Sequence, residues 1–229
     1  FLEVWAPTQA PQAARNHMAA RMGLPLEKTR INVTLLGGGF GRKSKADFIN
    51  EATELTKSFP DRAVRVQWTR EDDIQHDYLH TVSGEHLAAS MDKKGKTTGW
   101  LHRSVAPTIV SIFAPDPKHQ AAFEINMGLK NIPFDVPNLR IENPAIPAHT
   151  RIGWFRSVSN IPHGFAVQSF IHELAVKANK DHLKFYLELL GKNRKVDPDD
   201  MKDDWNHGES PKLYPVDTGR MRAVAQKAA

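Results

Sequence analysis

Arg30-Ile-Asn-Val-Thr-Leu-Leu-Gly-Gly-Gly-Phe-Gly-Arg-Lys-Ser44 is the stretch on which the fold turns. Its first half alternates β-branched and polar residues through Ile31, Val33 and Leu35, the pattern of a half-buried strand. It then runs straight into Gly37-Gly38-Gly39-Phe40-Gly41. Ser44 with Asp47 reads as a capping-box pair, and Phe48, Ala52 and Leu55 supply a helical stripe that ends at Phe59-Pro60. Strand, glycine loop and helix start therefore follow one another. Residues without Cβ let successive backbone N–H groups turn inward together, and a helix start adds partial positive charge, so such a loop suits an anion. A tight turn needing positive φ explains the same glycines equally well. The loop is neither a Walker loop nor a dinucleotide fingerprint, because Arg42 stands where each motif requires Gly.

Outward from the loop, Phe1-Leu-Glu-Val-Trp5 reads as a strand, and Pro11 to Leu24 as a helix with Ala14, Met18 and Met22 in register, closed by Gly23 and Pro25. Val64-Arg-Val-Gln-Trp68 alternates as a further strand, and Thr81–Met91 with Thr97–Val105 predicts a hairpin across Asp92-Lys-Lys-Gly95. From His163 a helical pattern returns through Phe165, Ala166, Ser169, Phe170, Leu174 and Ala175, then through Phe185, Leu187, Leu189 and Leu190 to Gly191. Strands and helices without regular alternation predict an α+β fold. One partial binding region over residues 1–229 is expected, with a possible division into a glycine-loop unit at 1–110 and a helical unit at 111–229 that carries Arg156.

Composition narrows the function. The 229 residues hold 31 Lys and Arg against 26 Asp and Glu, a net charge of +5 spread along the chain. Basic residues at 42–45, 93–96 and 192–195 alternate with acidic runs at 71–73 and 197–204 rather than forming an aromatic-interleaved basic face, which argues against nucleic-acid binding. No stretch approaches the ~18 apolar residues of a membrane span. With no cysteine in the chain, thiolate ligation of zinc or of an iron–sulfur cluster is excluded here. His76 and His80 have the i, i+4 spacing of a metal pair but lack the adjoining Glu of a metalloprotease helix, so a structural role is the better reading and no metal-ligating residue is assigned. Arg151 and Arg156 flank Gly153-Trp154-Phe155, where a guanidinium either binds an anion or pairs with a surface carboxylate.

Six blocks in order resemble the molybdenum-binding subunit of the xanthine dehydrogenase and aldehyde oxidoreductase family, in its branch of isoquinoline 1-oxidoreductase beta subunits. They are Glu3-Val-Trp-Ala-Pro-Thr-Gln9, Leu36-Gly-Gly-Gly-Phe-Gly-Arg-Lys43, Gln67-Trp-Thr-Arg-Glu-Asp-Asp-Ile-Gln-His-Asp77, Arg151-Ile-Gly-Trp-Phe-Arg-Ser-Val158, Ser169-Phe-Ile-His-Glu-Leu-Ala175 and Asp217-Thr-Gly-Arg220. The resemblance implies that Gln9 hydrogen-bonds an oxo ligand of molybdenum, that Gly38, Gly39, Phe40 and Gly41 form the cofactor cradle, and that Arg156 lines the substrate side. Arg42 replaces a glycine common in the family, and Ser44 stands where some relatives carry a substrate-contacting Glu.

The implied reaction hydroxylates an N-heteroaromatic compound or an aldehyde with oxygen taken from water. The implied cofactor is molybdopterin, in the cytosine dinucleotide form, and electrons pass to 2Fe-2S clusters on a small partner subunit. The family's base is a glutamate in a Gly-Val-Gly-Glu setting, which this chain lacks, so the resemblance implies a fragment that is inactive alone. Some relatives carry an export signal, which implies the periplasm, although this chain shows no such signal. The alternative expectation is a non-catalytic anion- or nucleotide-binding or assembly module that keeps the same scaffold.

Overall fold

A computed structural model describes residues 1–115, 117–148, 150–196, 209–210 and 212–229. The acidic run at 197–204 lies outside these. The fold is α+β, as the element pattern predicts. Its contacts divide it into two compact units, Phe1–Leu79 with Gly153–Arg156, and His80–Ile152 with Ser157–Ala229. The first unit thus ends at Leu79 rather than near 110, and it takes back the segment that carries Arg156.

In the first unit, β1 (Leu2–Ala6) and β2 (Thr29–Val33) pair in parallel, with Leu2 opposite Thr29 and Ala6 opposite Val33. Parallel strands need a crossover between them. Helix α1 (Pro11–Met22) supplies it, starting on Pro11, whose missing N–H costs nothing in a first turn, and closing on left-handed Gly23. Its buried face is Ala14, Met18 and Ala19. Helix α2 (Asp47–Thr56) buries Ile49 and Thr53, and Ala6, Ala14 and Ile49 form the core of the unit. Leu55, expected on the buried stripe, is exposed instead. Helix α3 (Arg70–His76) begins in a reciprocal capping box of Thr69 and Asp72.

Two sequence expectations fail here. Val64–Trp68 forms no ladder, since none of its residues joins a sheet. Ser44 is not the cap of α2, which starts at Asp47. Arg42–Ser44 instead makes one 3-10 turn, and Asp47 turns its carboxylate back onto Arg42.

The second unit is built on β3 (Gly84–Met91) and β4 (Thr97–Val105), the expected antiparallel hairpin, with β5 (Leu139–Glu142) added parallel to β4. The Asp92 carboxylate accepts from the N–H groups of Lys94 and Lys96 and fixes the turn. Helix α4 (Ala122–Ile125) is a single turn. Helices α5 (Asn160–Lys177) and α6 (His182–Leu190) bury Val167, Ile171, Leu174, Phe185, Leu189 and Leu190 around Trp100, Ile132 and Phe134. The α5 stripe is rotated from the expected one, so Phe165 is exposed while His163 and Ile171 are fully buried. Strands β6 (Lys195–Val196) and β7 (Val216–Asp217) pair antiparallel, and the Asp217 carboxylate caps α7 (Thr218–Ala228).

Candidate functional site

The parallel β1–β2 pair ends in two loops that meet. Thr8 and Gln9 follow β1, and the glycine loop follows β2. Two hydrogen bonds to the Lys43 carbonyl lock them together, from the Gln9 N–H at 2.9 Å and from the Thr8 hydroxyl at 3.1 Å. The Thr8 hydroxyl also accepts from the N–H of Ala10 at the start of α1. This double clamp sets the direction of the Gln9 side chain.

Gly41 N–H then donates to Gln9 Oε1 at 3.0 Å. A carboxamide has one oxygen acceptor and one NH2 donor, so this bond fixes which end faces the loop. The Nε2 donor consequently points away from Gly41. Gly39 permits the approach, since a Cβ there would lie 2.3 Å from Gln9 Cδ and Oε1. No side chain fits in that space. Phe40 sits between them at φ +51° with its ring 63% exposed, and Gly41 continues at φ +80°. A non-glycine residue in that region is strained, and the surrounding bonds maintain it. The N–H groups of Gly38, Gly39 and Phe40 make no hydrogen bond within the described residues. Gln9, Gly38, Gly39, Phe40 and Gly41 therefore lie side by side.

Beneath the patch lies a charged and aromatic layer that the sequence did not reveal. Arg42 binds Asp47 in a bidentate pair at 2.9 and 2.8 Å and also pairs with Asp77. Burial alone would lower its pKa, but the hydrogen bonds to Asp47 and Asp77 more than offset that, so it is raised. Lys45 is 7% exposed and its Nζ has no hydrogen-bond partner among the described residues. Its ammonium lies 3.5 Å from the Tyr78 ring centroid and 4.6 Å from that of Trp154, a cation–π contact on two faces. Burial, followed by repulsion from Arg42, pushes its pKa down to about 8. A Cβ on Gly153 would fall 2.0 Å from this Nζ. Trp154 Nε1 donates to Ser44 Oγ at 2.9 Å, and the Ser44 hydroxyl donates to the Gly41 carbonyl.

Arg42 and Lys43 also border a cleft of about 450 Å³ walled by Phe48, Val66 and Trp68. Arg156 belongs to the same unit and is exposed, and no hydrogen bond joins it to Gln9 or to the loop among the described residues. The histidine pair does not form. Helix α3 ends at His76, whose Nδ1 meets the Asp72 carbonyl, while His80 lies beyond the helix and contacts the carbonyls of Thr81 and Val158. Lys45 was hidden because Arg42-Lys-Ser-Lys45 reads as a solvated basic run, and Trp154 because it lies 110 residues from Ser44.

An outward amide donor and unspent backbone N–H groups fit an anionic, oxygen-rich group held by hydrogen bonds rather than by side-chain ligation. Comparison with known proteins agrees with that chemistry. The family described as Molybdopterin cofactor-binding domain matches residues 1–188. The chain is 28% identical over 210 residues to the membrane-bound aldehyde dehydrogenase [pyrroloquinoline-quinone] of Gluconacetobacter polyoxogenes, covering 86% of this chain and 27% of that protein. It is 27% identical to a nicotinate dehydrogenase subunit of Pseudomonas putida, covering 86% of this chain and 17% of that protein. It is 24% identical to the beta subunit of isoquinoline 1-oxidoreductase from Brevundimonas diminuta, covering 82% and 24%. The chain thus spans at most about a quarter of the length of these relatives. In fold it is similar to the crystal structure of quinoline 2-oxidoreductase from Pseudomonas putida, with a TM-score of 0.67 at 20% identity over 81% of this chain and 24% of that one. It is also similar to the aldehyde oxidoreductase of Desulfovibrio gigas, with a TM-score of 0.65 at 16% identity over 81% and 20%.

Proposed function

The chain belongs to the molybdopterin cofactor-binding domain family, and from that premise we propose that it forms part of the catalytic subunit of a molybdenum hydroxylase. The observation that carries the reading is the Gln9–Gly41 bond, which aims an amide donor outward beside three unspent loop N–H groups. Gln9 Nε2 holds an oxygen ligand of the metal, and the N–H groups of Gly38, Gly39 and Phe40 hold the anionic part of the molybdopterin. A neutral amide stabilises developing negative charge without bringing a proton that could be lost. When bound, the cofactor supplies a two-electron oxidation that places water-derived oxygen on an electron-poor carbon.

The substrate class we propose is an N-heteroaromatic compound or an aldehyde, supported by the names nicotinate dehydrogenase, isoquinoline 1-oxidoreductase and aldehyde dehydrogenase among similar proteins. Arg156, exposed at the end of its segment, is free to meet the substrate. The cofactor form we propose is the cytosine dinucleotide. The electron acceptor we propose is a small 2Fe-2S partner; this stretch itself has no thiolate to hold such a cluster. The stretch alone is inactive, since it lacks the expected catalytic glutamate.

The test is the full-length protein, made with its partner in a host that inserts molybdenum. Stoichiometric metal and acid-released pterin nucleotide are expected, and their absence would point to a non-catalytic module. Gln9→Ala should lower kcat by about 10²-fold, the scale of losing one preorganised donor, while metal content falls far less. Loss of pterin with normal turnover of the loaded molecules would remove the role from Gln9.

A further inference from the structure

We propose that Trp154 is a positioning residue for the Gln9 carboxamide, acting through Ser44 and Gly41. The inference rests on the reading of Gln9 as the outward donor. Three observations carry it. Trp154 Nε1 donates to Ser44 Oγ at 2.9 Å, and Ser44 returns two bonds to the Gly41 carbonyl, one from its hydroxyl and one from its N–H at 3.2 Å. The indole is also seated against Gly41, where a Cβ would lie 3.0 Å from Trp154 Cδ1. Gly41 in turn gives its N–H to Gln9 Oε1.

Gly41 is therefore held on both of its peptide planes. Its carbonyl is tied to Ser44 and its N–H to Gln9, and φ +80° relates the two. In a glycine this torsion is soft, so something outside the residue has to fix it. Trp154 does so in two ways, by occupying the second face of the residue and by orienting the Ser44 hydroxyl. A hydroxyl that accepts a hydrogen bond has its own hydrogen directed elsewhere, here to the Gly41 carbonyl. Without the indole N–H the hydroxyl is free to rotate, Gly41 relaxes, and the carboxamide loses the bond that decides which end points outward. The preorganisation of the donor, rather than its presence, is what Trp154 supplies.

The test uses Trp154→Phe, which keeps a ring but removes the donor, Ser44→Ala, which removes the relay, and Ser44→Thr, which restores a hydroxyl. In metal-free full-length protein, hydrogen–deuterium exchange of the Gly41 amide, the loop N–H that is bonded to Gln9, should quicken by about three- to tenfold in Trp154→Phe and Ser44→Ala, the scale of one hydrogen bond. Ser44→Thr should exchange as the wild type does. The double variant should match Ser44→Ala alone, because the relay through which the indole N–H acts is then already gone. In loaded enzyme the same variants should lower kcat by a similar factor with KM and molybdenum content unchanged. Unaltered exchange, or additive effects of the two substitutions, would overturn the proposal and reduce Trp154 to a packing residue. The exchange readout needs no metal, so absence of molybdenum from the wild type would sink the cofactor reading separately while the brace is still decided.

Discussion

Lys45 holds its ammonium against two aromatic rings with no hydrogen-bond partner among the described residues, and burial and the nearby Arg42 outweigh the attraction of Asp47 and Asp77, so its protonation costs free energy. Its ordinary pKa of 10.5 falls to about 8 on folding. Between those values the unfolded chain binds the proton and the folded chain does not, so stability rises with pH from about 8 towards 10.5. Lys45→Met should remove that slope and, near neutral pH, raise stability by about 1–3 kcal/mol as a buried, incompletely compensated charge disappears. Denaturant titrations of both proteins from pH 7 to 10 read the effect, and parallel curves would show that the charge is already compensated. The same residue illustrates what a sequence conceals. A lysine in a basic run looks solvated, and only the return of Tyr78 and Trp154 from far along the chain encloses it. Gln9 was legible for the opposite reason: its block and the glycine block each carry a local signature, although the bond joining them does not.

Among the elements, those with strong internal punctuation could be read directly. Pro11 and Gly23 delimit α1, Asp92 to Gly95 turns the hairpin, and Gly191 follows α6. Elements decided by partners were misread. Val64–Trp68 has the alternation of a strand but finds no neighbour, and α5 turns His163 and Ile171 inward where local hydrophobicity favours Phe165. Ile171 has no exposed surface and sits in the main core, so Ile171→Ala should destabilise the second unit by about 2–5 kcal/mol. Phe165→Ala, on the other face of the same helix and 78% exposed, should change stability by less than about 0.5 kcal/mol. Chemical denaturation of the pair discriminates the observed rotation of α5 from the one periodicity suggests.

At the level of the whole molecule, acid should be the more damaging limb of the stability profile. In the second unit Glu85 accepts from His102 at 2.7 Å and from Ser104 at 3.0 Å, and Ser104 meets fully buried His163 at 3.1 Å. Burial would raise the Glu85 pKa, but hydrogen bonds led by His102 hold it below the usual carboxylate value, so its stabilisation is present above the unfolded pKa of 4.5 and is lost as pH falls through the folded one. Burial keeps the His163 pKa below 6.5, and its neutral form likewise stabilises the fold above that pH and less below it. Both therefore weaken the fold on acidification. Glu85→Gln should cost about 1–3 kcal/mol at pH 7 and flatten the loss below about pH 4.5; an unchanged acid limb in unfolding curves would place the linkage elsewhere.

The return of Gly153–Arg156 to the first unit has a temporal consequence. During synthesis at about 5–20 residues per second, the glycine loop leaves the ribosome about 5–20 seconds before the indole that backs it, since Ser44 and Trp154 are 110 positions apart. A nascent chain thus carries an unsupported loop until half of the second unit has been made, and the order of translation delays the finished cradle.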